Sequence, residues 1–412
     1  MKRLRKWFGA GPTPEPAIDL AQPVDLLGAG FLADPYPTWA ALRARLPLAP
    51  VAGGGYILTR HADIKAAFSD DSLGNAPSRF SVLAPRNREK YAAADLAAHI
   101  PPFLDMPGHR LPRQALTRAF FNTFKPFATQ VEEEAEAILA AAPRDGAFDL
   151  IETVSSPFSV RVMARFVGLD ADVATLKAAT QAFFHLFAPI RDPAAFAETN
   201  AQLAAVRALV ADQLAARRAD GRPCLLTHLA AFQQDAPDLT DAQIVDNAIL
   251  VFADGVENIE AGAATLLRLV AREGIGQQVA SGALDAEAVV REGLRLDSPG
   301  QVIPRVARAD TTLHDTPIPA GTPVFLALAA ANRDPDAFDD PDVFRPGRAG
   351  DPVIFGQGRH RCIGEQLGVL QLRVLLTAML RSGLSDAAPG SPLGYQPRFG
   401  HRWPKAMAVT FG

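Results

Sequence analysis

The residues best suited to chemistry lie in the run 355–364, Phe-Gly-Gln-Gly-Arg-His-Arg-Cys-Ile-Gly, which carries Cys362, one of two cysteines in 412 residues. Three glycines surround the sulfur, and His360 stands two residues before it. The run is entered through a loop at Asp351-Pro352 and left through Glu365-Gln366-Leu367-Gly368-Val369-Leu370, whose apolar spacing is helical. A thiolate just ahead of a helix meets free backbone N–H groups and the positive end of the dipole. That suits a metal ligand or a nucleophile, while a cysteine taken alone is more often a small apolar packing residue.

Two further groups of polar residues sit where pattern alone does not call for them. Residues 240–272 form a proline-free helical stretch, apolar at Ile244, Ala248, Val251, Ile259, Ala263 and Leu266, yet Asp254, Glu257, Asn258 and Glu260 fall midway. Polar groups inside a mostly apolar helix cost energy unless paired or used. Helical spacing puts Leu250, Asp254 and Asn258 on one stripe. Elsewhere, His109 and Arg113 share a face at i, i+4, and Glu292 and Arg295 share one at i, i+3. Each pair alone reads as an ordinary solvated face.

The elements that position these residues are mostly helical. Residues 1–35 read as an irregular N-terminal segment and 36–412 as a single domain, mainly α with a small β subdomain. Helices are expected from Tyr36, over 61–68, from His109, and over about 128–142, 159–168, 173–188, 194–219, 240–272 and 285–296. Residues 71–103 read as a long functional loop. Strands are expected at 56–58, 302–308 and 322–328, and residues 331–358 form a loop leading to the cysteine. A formal charge of −4 gives no reason to expect nucleic-acid binding. Two cysteines without a Cys-x-x-Cys point to a reducing compartment. The basic start lacks the apolar run of a leader or anchor, so no stable membrane insertion is expected and the protein reads as cytoplasmic.

Together, Phe355-x-x-Gly358-x-His360-x-Cys362-x-Gly364 and the upstream Glu292-x-x-Arg295 resemble the haem-thiolate monooxygenases, the cytochrome P-450 superfamily of the soluble bacterial type. The resemblance runs from about Tyr36 to near the C-terminus. It implies a single triangular domain with a long central distal helix, and haem b (iron protoporphyrin IX) with the Cys362 thiolate as axial ligand. It implies that Gly358 and Gly364 let the backbone bend around the sulfur and that Phe355 shields it. His109, Arg113, Arg305 and His360 match the family's cations for the haem propionates. Glu292 and Arg295 match its structural ion pair. The usual third partner, a basic residue directly before the phenylalanine of the later loop, is missing from Asp342-Val343-Phe344-Arg345, with Arg345 or Arg348 as stand-ins.

The distal helix departs further. The family's Ala-Gly-x-(Asp/Glu)-Thr is here Asp254-Gly255-Val256-Glu257-Asn258, so the alcohol is replaced by Asn258 and the small apolar residue by Asp254. Asp254, Glu257 and Asn258 are therefore the candidate catalytic residues. Asp254 is expected to pair with a cationic substrate, relay protons, or ester-link to the haem, against a bland reading in which it bonds to Asn258 or an arginine. Substrate contacts implied by analogy are Phe80, Val82, Leu83, Phe183, Phe184, Phe187, Leu250, Gly300, Gln301 and Val302. The implied reaction is insertion of one oxygen atom from O2 into a small organic substrate, cationic or polar, by hydroxylation or oxidative dealkylation. Electrons are expected from a separate ferredoxin docking near Arg359, Arg361, Arg110, Arg118 and Lys125. The rivals are a peroxide-driven or rearranging haem-thiolate enzyme, motivated by Asn258, and a haem-binding sensor without turnover.

Overall fold

The computed structural model describes residues 20–77, 81, 83–184 and 193–412, of which 193–196 by backbone alone. The N-terminal part alternates short helices and strands: α1 (Ala29–Ala33), α2 (Tyr36–Arg45), β1 (Leu48–Pro50), β2 (Tyr56–Leu58), α3 (His61–Ser69) and β3 (Leu73–Gly74). A helical body follows with α4 (Ala92–Ala97), α5 (Arg110–Phe124), α6 (Ala128–Ala141), α7 (Ser156–Val167), α8 (Val173–Phe184), α9 (Pro193–Asp220), α10 (Leu225–Asp235) and α11 (Asp241–Glu273). The two-residue strand β4 (Phe148–Asp149) lies between α6 and α7. After α12 (Gly276–Ser281) and α13 (Ala286–Leu296) come β5 (Val302–Ala307), β6 (Thr311–Leu313), β7 (Thr316–Ile318), β8 (Pro323–Ala327) and α14 (Leu328–Ala331). The chain closes with α15 (Glu365–Arg381), β9 (Leu384–Asp386) and β10 (Ala408–Phe411).

The centre is α11, and its ends are set by sequence. Thr240 accepts from the Gln243 amide at 3.2 Å while Gln243 Oε1 accepts from the Thr240 amide at 2.9 Å, a reciprocal cap. Gly274, at φ 68°, stops the helix in a left-handed conformation that costs glycine little. Between these ends α11 packs on α7, α8, α9, α13 and α15. Two glycines permit the closest of these approaches. A Cβ at Gly255 would lie 2.5 Å from a Met163 methyl on α7, and one at Gly293 on α13 would lie 2.4 Å from Leu266 of α11. Gly255 therefore serves packing against α7.

The small β region is a five-stranded sheet in the order β1-β2-β8-β5-β3, with only β2 and β8 parallel. Pairing of Arg305 with Val324 fixes which face of β5 presents the arginine. Two differences from the sequence expectation stand out. Residues 71–103 are not a plain loop, since β3 and α4 form within them, and α4 buries Ala93, Ala94, Leu96 and Ala97. Helix α10 carried no capping signal: its N-cap position is Cys224, whose side chain makes no cap bond. Among the described residues no helix is long and apolar enough to cross a membrane.

Candidate active site

The cysteine loop is held by backbone bonds. Gly356 and Gly358 sit at φ 65° and 67°, the left-handed region where a side chain is strained. The turn they make lets the Cys362 amide donate to the Phe355 carbonyl at 2.8 Å. Gly364 has an ordinary φ of −80°, and its part is different: its amide bonds to the sulfur, and a Cβ there would stand 3.7 Å from Sγ. Burial pushes the Cys362 thiol up to about 11, Asp254 adds to this, and the Gly364 amide and Arg113 oppose it. Cys362 nonetheless keeps accessible surface. Both facts hold for a side chain that opens onto an enclosed internal cavity instead of bulk water. A bound metal deprotonates such a thiol outright.

Beneath the loop lies a buried charge knot. Arg295 donates to both oxygens of Glu292, at 2.8 and 2.9 Å, and its other nitrogen reaches the carbonyls of Asn332 and Pro341 at 2.6 and 2.7 Å. Of the two stand-ins for the missing partner, Arg348 takes the place, with Nε 3.1 Å from Glu292 Oε1 and a further bond to the Val343 carbonyl at 2.7 Å. Arg345 contributes only its amide, while its guanidinium pairs with Asp340. Burial raises the Glu292 pKa, but the bonds from Arg295, the Arg345 amide and Arg348 outweigh it and leave the carboxyl below its ordinary value. The knot fixes the loop 341–353 and, through Asn332 Oδ1 on the Val353 amide at 2.8 Å, the entry to the cysteine run.

On one rim of the cavity two arginines and two histidines converge, and among the described residues no carboxylate is free to match them. The rings of His109 and His360 stand 4.3 Å apart, and Arg113 Nη2 donates to the Arg361 carbonyl at 2.7 Å. Among the described residues Arg305 donates only to the carbonyl of its neighbour Pro304, and buried His109 Nε2 has no hydrogen-bond partner. Burial lowers the His360 pKa to about 3, helped by His109 and Arg305, and lowers Arg305 to about 10. The nearby carboxylate, Asp105, is already engaged by Arg308 at 2.7 Å and by the Asn75 amide at 2.9 Å. Positive groups pressed together at a cost in charge, with a buried donor left over, fit a dianionic carboxylate ligand.

The opposite face of the cavity is the middle of α11. Glu257 and Glu260 turn toward α8, where Lys177 Nζ lies 2.8 Å from the first and 2.6 Å from the second, and Thr180 Oγ1 donates to Glu257 at 2.5 Å. Burial raises the Glu260 pKa to about 7 against the pull of Lys177. Asn258 is occupied: Nδ2 donates to the Asp254 carbonyl at 3.3 Å and Oδ1 accepts from Trp403 Nε1 at 3.4 Å. Asp254 differs from all of these. Its carboxylate meets no donor or cation among the described residues, it keeps accessible surface, and burial alone raises it to about 7. Like Cys362, it opens into the internal cavity, and the two feel each other's charge. Among the described residues the carboxylate does not form the bland pairing with Asn258 or an arginine.

The implied substrate residues divide. Phe80, Val82 and Phe187 lie outside the described residues. Leu83, Leu250, Phe183 and Phe184 are buried in the main core, with Phe184 edge-on to Trp403 at 4.7 Å and to His401 at 5.4 Å. Gln301 gives its amide to Tyr36 and Asp297, at 3.2 and 3.4 Å, and Val302 packs with Trp39 and Leu26 in a separate core. These two are structural, because their side chains are already taken up by the sheet subdomain. Gly300 bridges to His401 and so helps place the C-terminal loop. That loop, with Arg398, His401 and Trp403, was not anticipated, and neither were Lys177 and Thr180. The available signal for Lys177 was a lone cation in the apolar run of α8.

A thiolate donor in an enclosed cavity, a cation set for a dianion on the rim and an acid-bearing helix opposite define a haem-thiolate enzyme. The chain belongs to the cytochrome P450 family, a monooxygenase family that binds haem b through a cysteine thiolate, here Cys362. The family profile described as Cytochrome P450 matches residues 286–383, which span α13 to the end of α15. Over 406 residues the chain is 30% identical to a vitamin D(3) 25-hydroxylase of Pseudonocardia autotrophica, covering 94% of this chain and 96% of that protein. It is 30% identical to cytochrome P450 BJ-3 of Bradyrhizobium diazoefficiens over 94% of each. The crystal structure of CalO2 shares the fold at a TM-score of 0.84 and 24% identity, over 95% of this chain and 99% of that one.

Proposed function

We propose that this P450 inserts one oxygen atom of O2 into a small organic substrate, by hydroxylation or oxidative dealkylation, with electrons from a separate ferredoxin. Bound haem supplies oxygen activation at its iron, and the thiolate's electron donation favours O–O cleavage. His109, Arg113, Arg305 and His360 hold the propionates, which give the rim cations their missing counter-charge. The Gly364 amide tunes the sulfur, and Phe355 shields it from the proximal side.

The observation that carries the reading is the placement of Glu257. It lies on the cavity helix, one residue before Asn258, and is tied to Lys177, whose side chain is partly exposed, so a buried acid is linked to solvent by one cation. Proton delivery then runs from solvent to the Lys177–Glu257 pair and on into the cavity, with Asn258 fixed by Trp403 and contributing no hydroxyl. Arg110, Arg118, Lys125, Arg359 and Arg361 are all exposed, and a basic surface suits an acidic ferredoxin.

One specific observation favours a second reading: Asn258 has both amide ends engaged and replaces the alcohol, which suits an enzyme driven by peroxide. A single experiment separates the two. Turnover of a substrate with labelled O2, ferredoxin and reductant is expected to place one labelled atom in the product. Product formed only with hydrogen peroxide would establish the second reading.

A further inference from the structure

On the α11 side of the cavity most polar side chains have a protein partner. Glu257 and Glu260 have Lys177, Asn258 has Trp403, and His401 Nδ1 meets the Phe399 carbonyl at 3.0 Å. Asp254 is the exception, since no donor or cation among the described residues reaches its carboxylate although it is desolvated. A desolvated carboxylate without a partner is unfavourable, so the site gains when a ligand brings a cation to it. One turn further along the same stripe, Asn258 touches Trp403, and Trp403, His401 and Phe184 form a ring cluster with centroids 4.6 to 5.4 Å apart. Trp403 and Phe184 are themselves buried, so this cluster backs the stripe and holds Asn258 in place, leaving the Asp254 carboxylate as the charged group that a ligand meets. Arg398 also faces this region, 6.0 Å from the Trp403 ring, and its attraction is to Glu257.

We propose that the distal cavity selects substrates bearing an amine in its ammonium form, with the cation held by Asp254. The assignment rests on the monooxygenase reading and names its substrate class. Asp254 acts here as a specificity determinant, with proton delivery left to Glu257.

The test is a titration of the haem Soret band of the holoenzyme with three probes of one skeleton. These are (4-phenylbutyl)trimethylammonium, which has no lone pair and cannot ligate iron, its uncharged tert-butyl isostere, and the matching carboxylate. The ammonium is expected to bind about tenfold or more tighter than the isostere. Asp254→Asn removes that preference and improves the carboxylate, whereas Asp254→Glu retains it. Equal binding of ammonium and isostere, no binding of the ammonium, or a preference unchanged in Asp254→Asn overturns the assignment. Failure of the underlying reading is visible separately, because a protein that purifies without the thiolate-type carbon monoxide spectrum is no P450 monooxygenase, whatever it binds.

Discussion

The two faces of the cavity are built by opposite means. On the cysteine side, Glu292, Arg295 and Arg348 interlock with backbone groups at 332, 341 and 343, and the sulfur itself accepts from the Gly364 amide. Nearly every donor there ends on a carbonyl or on Glu292. On the α11 side, the polar groups come from three segments distant in sequence, α8, α11 and the C-terminal loop, and meet mainly through side chains. One of them, Asp254, is left over. A face fixed by main-chain bonds tolerates little change in sequence, whereas a face assembled from side chains can be retuned one residue at a time. On the proposals above, the oxygen chemistry is set by the first face and the choice of substrate by the second.

The largest effect is expected where the first face meets the metal. Cys362→Ser should abolish monooxygenation and the thiolate-type carbon monoxide spectrum together, while the protein still folds. Retention of both in that variant would remove the basis of the comparison. Next, Glu292→Ala leaves Arg295 and Arg348 buried without their anion, and should cost about 3–5 kcal/mol in denaturant unfolding. Arg348→Ala should cost less, about 1.5–3 kcal/mol, because Arg295 still neutralises Glu292. If both variants lose equally, Arg348 is a full member of the pair and not its accessory.

On the second face, Glu257→Gln keeps the shape but removes the acid. Turnover with ferredoxin and reductant is expected to fall about a hundredfold or more, with a larger solvent isotope effect and little change in substrate binding. A loss confined to binding would place Glu257 in recognition, erasing the division of labour between it and Asp254.

The contrast also explains what could be read in advance. The cysteine run, Glu292-x-x-Arg295 and the cations at 109, 113, 305 and 360 are local patterns, so the family resemblance exposes them where spacing alone leaves the pairs 109/113 and 292/295 as ordinary solvated faces. Helix periodicity located α11 within a residue or so at each end because caps and a mid-helix excess of polar groups mark it. Arg348 was visible only as one of two candidates, since which arginine turns inward depends on the path of the loop 341–348. Lys177, Thr180, His401 and Trp403 stayed hidden because they reach α11 through tertiary packing between residues tens to hundreds of positions apart. Gln301 and Val302 misled for the same reason. Their own side chains turn into the sheet subdomain, a choice set by tertiary packing.

The smallest effect tests whether the C-terminal loop belongs to the α11 face in energetic terms. Burial lowers the His401 pKa from its ordinary 6.5 to about 4; Arg398 adds to the shift and the Phe399 carbonyl opposes it. The folded protein therefore keeps this ring neutral where the unfolded chain takes up a proton. Its contribution to stability is complete above about pH 6.5, declines as the pH falls toward 4, and changes no further below that. Comparing unfolding midpoints at about pH 7.5 and about pH 5, His401→Gln should lose less stability on acidification than the parent, by about 1 kcal/mol once the ring's residual exposure is allowed for. An equal acid sensitivity in both proteins would mean that the ring is solvated, and would detach the C-terminal loop from the distal face.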